Sequence, residues 1–373
     1  MNPDAKSLLP ASARVSAPAP FHLLLSASAS RRGFLRSTAA LAAVTAFGPP
    51  GRALFGQTAT ALAPVPAASP GAESLVKVLF DSLKPEQRKE VCFPWDYTSP
   101  KQGLLRTRLE NNWRITKPII KSTFFTGDQQ ALIRAIFEGM TNPAWHARFD
   151  KQLKDDVGGF GNRQSIALFG EPGAGKSEFV LTSRHMTLRC DGDRAEHVAF
   201  GGPILYAHEG KGFYEKPDHP GNVFWFQAVE ANKLFHALDA KHQAKALVVK
   251  GMPNEELVGF RGKGGAFQGC PVAEFAADQK AELRRILNLM LEPFRQSDQD
   301  EALKCLNALG GLDQCHLAFY QEGDLGDDGI YDNWRIEGPA FVWYFRGRPH
   351  VHVWVNIADD PAVKLNAFQN SVM

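Results

Sequence analysis

The chain has 373 residues, of which 44% are hydrophobic, 10% aromatic and 22% charged, with a formal net charge of +2. This is a globular composition with enough apolar residues for a sizeable core, and no run of about 18 apolar residues is available to span a bilayer after processing. The charge is unevenly placed: residues 1–63 hold six cations against Asp4 and carry +5, so with a total of +2 the remainder carries −3, which excludes the basic footprint of a nucleic-acid binder.

The first element is a leader. Arg31-Arg32-Gly33-Phe34-Leu35 precedes a weakly apolar, Ala-rich stretch from Ala39 to Phe47 and small-x-small sites at Ala59-Thr60-Ala61 and Ala61-Leu62-Ala63. Charge, then a short apolar region, then small residues is the layout of a signal peptide, and the adjacent arginines mark the twin-arginine form. Residues 1–63 are therefore expected to engage the twin-arginine export machinery. The mature protein is expected in the periplasm or secreted, with no membrane contact. That route carries folded cargo, which suits a protein that loads a metal before export.

Residues 64–71 read as a Pro/Ala linker, and 72–373 as a single α+β domain: helical over 72–160, mixed over 161–358, with a tail over 359–373. Helices are predicted at Glu73–Leu83, after Pro85, at Asp128–Met140, Ala228–Leu238, Gln243–Val249 and Phe275–Phe294, from apolar residues at helical spacing. Strands are predicted at Gln164–Gly170, Glu178–Cys190, Cys315–Tyr320, Trp334–Phe345 and Val351–Ile357, with two more before the Gly/Pro-rich loop at 210–221. Because strands and helices come in runs, the sheet should be largely antiparallel, with flanking helices.

Two polar segments need weighing. Gly170-Glu171-Pro172-Gly173-Ala174-Gly175-Lys176-Ser177 matches the phosphate-loop string. Phosphate binding, however, needs a helix to start there, and the next residues alternate as a strand does. A hairpin turn is the better reading, and an NTPase is disfavoured. Asp324, Asp327, Asp328 and Asp332 offer oxygens for calcium but lack the EF-hand spacing. The five cysteines contain no Cys-x-x-Cys; Cys305 and Cys315 are the pair that oxidation could join, against the plainer reading of five buried thiols.

The strongest chemical signal comes near the end. In Pro349-His350-Val351-His352-Val353-Trp354 the period of two puts both histidines on one face, about 7 Å apart along the strand. Two imidazoles so placed can share copper, iron or zinc. His185 is the expected third ligand; His208, Glu209 and His219 are weaker alternatives. Glu337 and Arg335 share a face of the neighbouring strand and are the candidate catalytic pair, as base and anion holder.

Pro85-Glu86-Gln87-Arg88, the Phe169-Gly170-Glu171-Pro172-Gly173 turn, Arg184-His185, Gly202-Pro203, Trp334-Arg335-Ile336-Glu337-Gly338-Pro339 and His350-Val351-His352-Val353-Trp354 occur in that order. Together they resemble the bacterial and fungal family catalogued as domain of unknown function 3500, over roughly residues 72–358. The resemblance implies an exported protein with histidines in its defining motifs, and no reaction. The family pattern has an aromatic where this chain has Ser177, so the phosphate-loop string is completed by accident. It has Gly where this chain has Ser183, which puts access to His185 in question. The resulting expectation is a metal-binding protein acting on a small molecule, with oxidation first and hydrolysis second. The alternative is a non-catalytic periplasmic protein that binds a small molecule in an aromatic-lined cleft.

Overall fold

The side chains of successive residues point to opposite sides of each strand and build a sheet with two different faces. The computed structural model describes residues 71–191, 195–209, 223–254, 258–325 and 328–363. The leader, its cleavage sites, the linker up to residue 70, the 210–221 loop with His219, Asp327 and the tail beyond 363 lie outside the described residues. All described residues belong to one compact unit, Pro66–Met373.

The helices are α1 (Ala72–Ser82), α2 (Pro85–Val91), α3 (Gly127–Met140), α4 (His146–Val157), α5 (Phe226–Ala237), α6 (Ala240–Ala246), α7 (Ala277–Leu291) and α8 (Gln296–Ala308). Thr126 caps α3: its hydroxyl accepts from Gln129 N at 3.2 Å, and Gln129 Oε1 accepts from Thr126 N at 3.0 Å. This reciprocal box satisfies two donors that a bare helix start would leave open.

The strands are β1 (Cys92–Phe93), a small ribbon of β2 (Thr98–Ser99) and β3 (Gly103–Leu104), β4 (Ser165–Gly170), β5 (Ser177–Ser183), β6 (Met186–Cys190), β7 (Ile204–His208), β8 (Leu247–Val248), β9 (Cys270–Pro271), β10 (His316–Tyr320), β11 (Asn333–Gly338), β12 (Phe341–Arg346) and β13 (Val351–Ile357). Eleven of them form one sheet in the order β1-β4-β5-β6-β7-β13-β12-β11-β10-β8, with β9 also on β10. Only the β1–β4 and β8–β10 pairs are parallel. The fold is thus α+β with a mostly antiparallel sheet.

One face carries Leu168, Leu181, Met186, Tyr206, Val353, Trp343 and Phe319, packed with the helices in the main core. The opposite face carries two smaller clusters, one with Leu105, Trp113 and Ile115 and one with Leu109, Met252, Val258 and Phe260. Polar groups concentrate on this second face. Arg189 lies buried there, its Nη1 3.2 Å from Glu178 Oε1 and its Nη2 donating to Arg108 O at 2.7 Å. Arg106 Nη1 reaches the same carboxylate at 2.8 Å. A buried charge pair of this kind is retained for register more than for net stability, and here it fastens the 105–108 segment to β5 and β6.

Several sequence expectations are corrected. Glu178–Cys190 is two strands, not one, with Arg184-His185 as the turn between β5 and β6. Trp334–Phe345 is likewise a hairpin, β11 and β12, bent at Pro339-Ala340. The helix expected over Gln243–Val249 ends at Ala246 and gives way to β8. Helix α8 was not foreseen, and ahead of the 210–221 loop β7 is the one strand among the described residues after β6. Cys305 and Cys315 are not paired; all five thiols are free. In the Asp loop the carboxylates serve their own backbone: Asp332 accepts from Leu325 N at 2.6 Å and Asp324 from Asp332 N at 2.9 Å. Among the described residues no helix is long and apolar enough to cross a membrane.

Candidate metal centre

The hairpin loop Gly170–Ser177 shows what the phosphate-loop string does in three dimensions. Gly170 pairs directly with Ser177, and β5 follows at once, so no helix start is present to cradle a phosphate. Lys176 is exposed, its nearest carboxylate being Glu196 at 3.8 Å.

Three histidines meet where the β5–β6 turn, the end of β7 and the start of β13 come together. Ala207 pairs with His352, and Ala207 N donates to His185 O at 3.1 Å, so β7 stands between the other two segments and fixes their spacing. His185 has φ of +65°, a left-handed conformation that non-glycine residues rarely adopt and that concentrates at functional sites. Its backbone N–H donates to Asn111 O at 2.8 Å, which holds the turn in that shape.

The Nε2 atoms of the three rings converge. His185 Nε2 lies 3.2 Å from His350 Nε2 and 3.2 Å from His352 Nε2, and the last two are 2.9 Å apart. His185 and His352 are 3% and 2% exposed; the His350 side chain, at 16%, faces the opening. An ion ~2.0–2.1 Å from each nitrogen would lie about 1 Å above the plane of that triangle. The edges fit a three-histidine face with a side left open.

The far nitrogens are set by charged groups. His185 Nδ1 is 3.0 Å from Asp156 Oδ1, a fully buried carboxylate at the end of α4 that also accepts from Glu209 N at 2.9 Å. A carboxylate there accepts a hydrogen bond from Nδ1–H, which keeps the proton on Nδ1 and leaves the Nε2 lone pair for an ion. His352 differs. Arg346 Nη2 lies 2.8 Å from its Nδ1, and a guanidinium can only donate. The proton of neutral His352 therefore sits on Nε2 and points into the triangle, shared with the other rings. An ion that binds all three Nε2 atoms displaces that proton.

Burial, then the rings of His352 and His185 and the charges of Arg346 and Arg184, pull the His350 imidazole down to about 3. Burial and Arg346, with His185 and Arg184 behind them, hold His352 well below the ordinary histidine range. Both rings are neutral at neutral pH, the state a metal ligand needs.

The expected site residues are thus placed. His185, His350 and His352 come together. Arg335 and Glu337 lie on the same face as His352 but two strands away, and are further displaced along the strand by two and four residues from Asn333, which stands across from His352. There Glu337 Oε1 accepts from Arg335 Nη2 at 2.9 Å and from Arg261 Nε at 2.7 Å, closing the 258–268 segment over the sheet. His208 points to the other face, toward Asp155 at 3.0 Å. Glu209 borders the centre, 4.0 Å from His350 Nδ1 and paired with Arg184. Ser183 does not block His185: it lies on the helix-covered face, with Gln164 Nε2 donating to its hydroxyl at 3.3 Å.

Sequence reasoning missed Asp156 and Arg346. Asp156 follows Asp155 at the end of an amphipathic helix and looks like a solvated charge. Arg346 ends an apolar strand, and only its cross-strand register with His352 gives it meaning.

A second group, His242, Cys270 and Glu274, also has its donor atoms close together. There Lys245 Nζ already holds Glu274 at 2.7 Å, and burial pushes the Cys270 thiol up to about 11, so the group is poorly set for a cation.

No curated protein matches the chain, and no solved structure does. A family model does match, over residues 69–357, which span every element from α1 to the end of β13. The motifs it covers include the β4–β5 turn, the Arg184-His185 turn and the histidines of β13, and the chain belongs to the family described as protein of unknown function (DUF3500).

Proposed function

We propose that the mature protein, exported through the twin-arginine route, binds one copper, iron or zinc ion through His185, His350 and His352 and uses it on a small organic molecule. The observation that carries this reading is the convergence of three Nε2 atoms to within 3.2 Å of one another, in a buried setting that keeps two of the rings neutral. Mutual hydrogen bonding alone is a weak reason to bury three imidazoles together, because three neutral rings cannot satisfy all of one another's nitrogens.

Within this reading each neighbour has a task. Asp156 orients His185. Arg346 sets the proton on His352. The partly exposed edge at His350 is where a small molecule approaches, and a three-nitrogen face leaves room for it on the ion. Histidine-only ligation suits copper, iron and zinc alike, and oxidation of the bound molecule is the chemistry we favour for a redox-active ion, with hydrolysis the counterpart for zinc. Arg335 and Glu337 brace the wall through Arg261.

The test is metal content by mass spectrometry of the mature protein purified from the export compartment. About one equivalent is expected per wild-type chain, and under a tenth of that in a His350→Ala, His352→Ala double variant. Equal metal content in both proteins would sink the proposal.

A further inference from the structure

A cleft of about 520 Å³ is lined by Asn112, Trp113, Arg114, Ile119, Asn162, Arg163 and Arg184, the last of which directly precedes His185. It shares its backbone with the metal centre. Asn112 bridges to Arg184, and Asn111 O accepts the N–H of His185. Arg184 stands between the two: it lines the cleft and pairs with Glu209, which lies 4.0 Å from His350 Nδ1.

Three guanidiniums line this cleft and no carboxylate does. That is not a sample of a basic surface, since the chain beyond residue 63 carries −3. Arg114 and Arg163 make no side-chain hydrogen bond or ion pair with any described residue, whereas Arg106, Arg108, Arg134, Arg189 and Arg295 are all held by carboxylates. Guanidiniums left open are the groups that clamp a carboxylate in a two-pronged fashion. The volume is several times that of an inorganic anion. Trp113 and Ile119 offer apolar contact for a carbon skeleton, and the amides of Asn112 and Asn162 can meet hydroxyl or carbonyl groups.

We infer that the small molecule brought to the metal centre is a di- or polycarboxylic acid, held in this cleft by Arg114 and Arg163. The inference rests on the metal reading for its purpose, and on the arginines alone for its binding.

Equilibrium dialysis of the mature protein with radiolabelled succinate at low ionic strength tests it. Arg114→Gln and Arg163→Gln should each weaken binding about tenfold, and uncharged succinamide should compete at least tenfold less well than succinate. Both arginines are exposed, so these variants should fold as the wild type does. The inference is overturned if succinate is not retained, if the Arg114→Gln, Arg163→Gln double variant retains it equally, or if sulfate binds there while succinate does not. Metal analysis of the same samples separates the two readings. Metal kept with no succinate response fails this inference alone; succinate held by a metal-free protein fails the metal reading alone.

Discussion

The chemistry depends on individual side chains whose partners come from distant parts of the chain. His350 and His352 were legible because a strand has a strict period of two. His185 was legible as a histidine next to an arginine in a motif that resembles the family's, but its reason for being available was not: it sits at a turn, in a left-handed conformation, rather than in the middle of a strand. Asp156 and Arg346 were invisible for a different reason. Which nitrogen of an imidazole faces an ion is decided by what bonds the other one, and those bonds cross 29 and 6 residues of sequence respectively. The two neighbours should act in opposite directions. Asp156→Ala removes the acceptor that keeps the His185 proton on Nδ1, and should weaken metal affinity about 10–100-fold in a chelator competition titration. Arg346→Gln removes a positive charge and offers His352 Nδ1 an acceptor oxygen, so affinity should rise about tenfold in the same titration. A fall in affinity for the arginine variant would show that the proton placement derived for His352 is wrong.

At the scale of elements, periodicity located most helices and strands, and what it missed were the sharp reversals. The Arg184-His185 and Pro339-Ala340 turns interrupt apolar runs with no Asn-Gly or Asp-Gly signal, so each hairpin looked like one long strand. The opposite error, reading function into a turn, is avoided at Gly170–Ser177 because β-branched alternation continues past the lysine. Gly170 has φ of +69°, and a Cβ there would stand 2.0 Å from the carbonyl oxygen of Lys176. Gly170→Ala should therefore cost about 2–4 kcal/mol in denaturant melts, while Lys176→Ala should change stability by less than about 0.5 kcal/mol. A large loss for the lysine variant and none for the glycine variant would contradict the hairpin. The β10–β11 loop makes a separate prediction. Burial, with Asp324 and Asp328 adding to it, pushes the Asp332 carboxyl up to about 7. Its folded value is above the unfolded one of about 3.9, so between those pH values the folded chain keeps a proton that the unfolded chain has lost. The stabilising contribution is therefore complete below about pH 4 and gone above about pH 7. Melts across that window should lose on the order of 1–3 kcal/mol as pH rises, and Asp332→Asn should flatten the slope. An unchanged slope in the variant would assign the titration elsewhere.

At the scale of the whole molecule, the sheet divides the work. Helices bury one face in a continuous apolar core, and the other face, covered by extended segments, keeps Arg189, Glu178, Arg335, Glu337 and His352. Alternation announced that the sheet would have two faces. It could not say which face the helices would take, because segments such as 105–115 have no period and are placed only by their contacts. The charge asymmetry of the chain has its own test at this scale. Replacing Arg31 and Arg32 together by lysine should leave the protein in the cytoplasm on cell fractionation, and unchanged export would remove the twin-arginine reading. The three-histidine centre is tested most directly by anomalous diffraction at the absorption edge of the metal found in protein purified from its native compartment. The account predicts one peak about 2 Å from the Nε2 atoms of His185, His350 and His352 together; a peak elsewhere, or three rings still bonded only to one another in metal-saturated crystals, would contradict it.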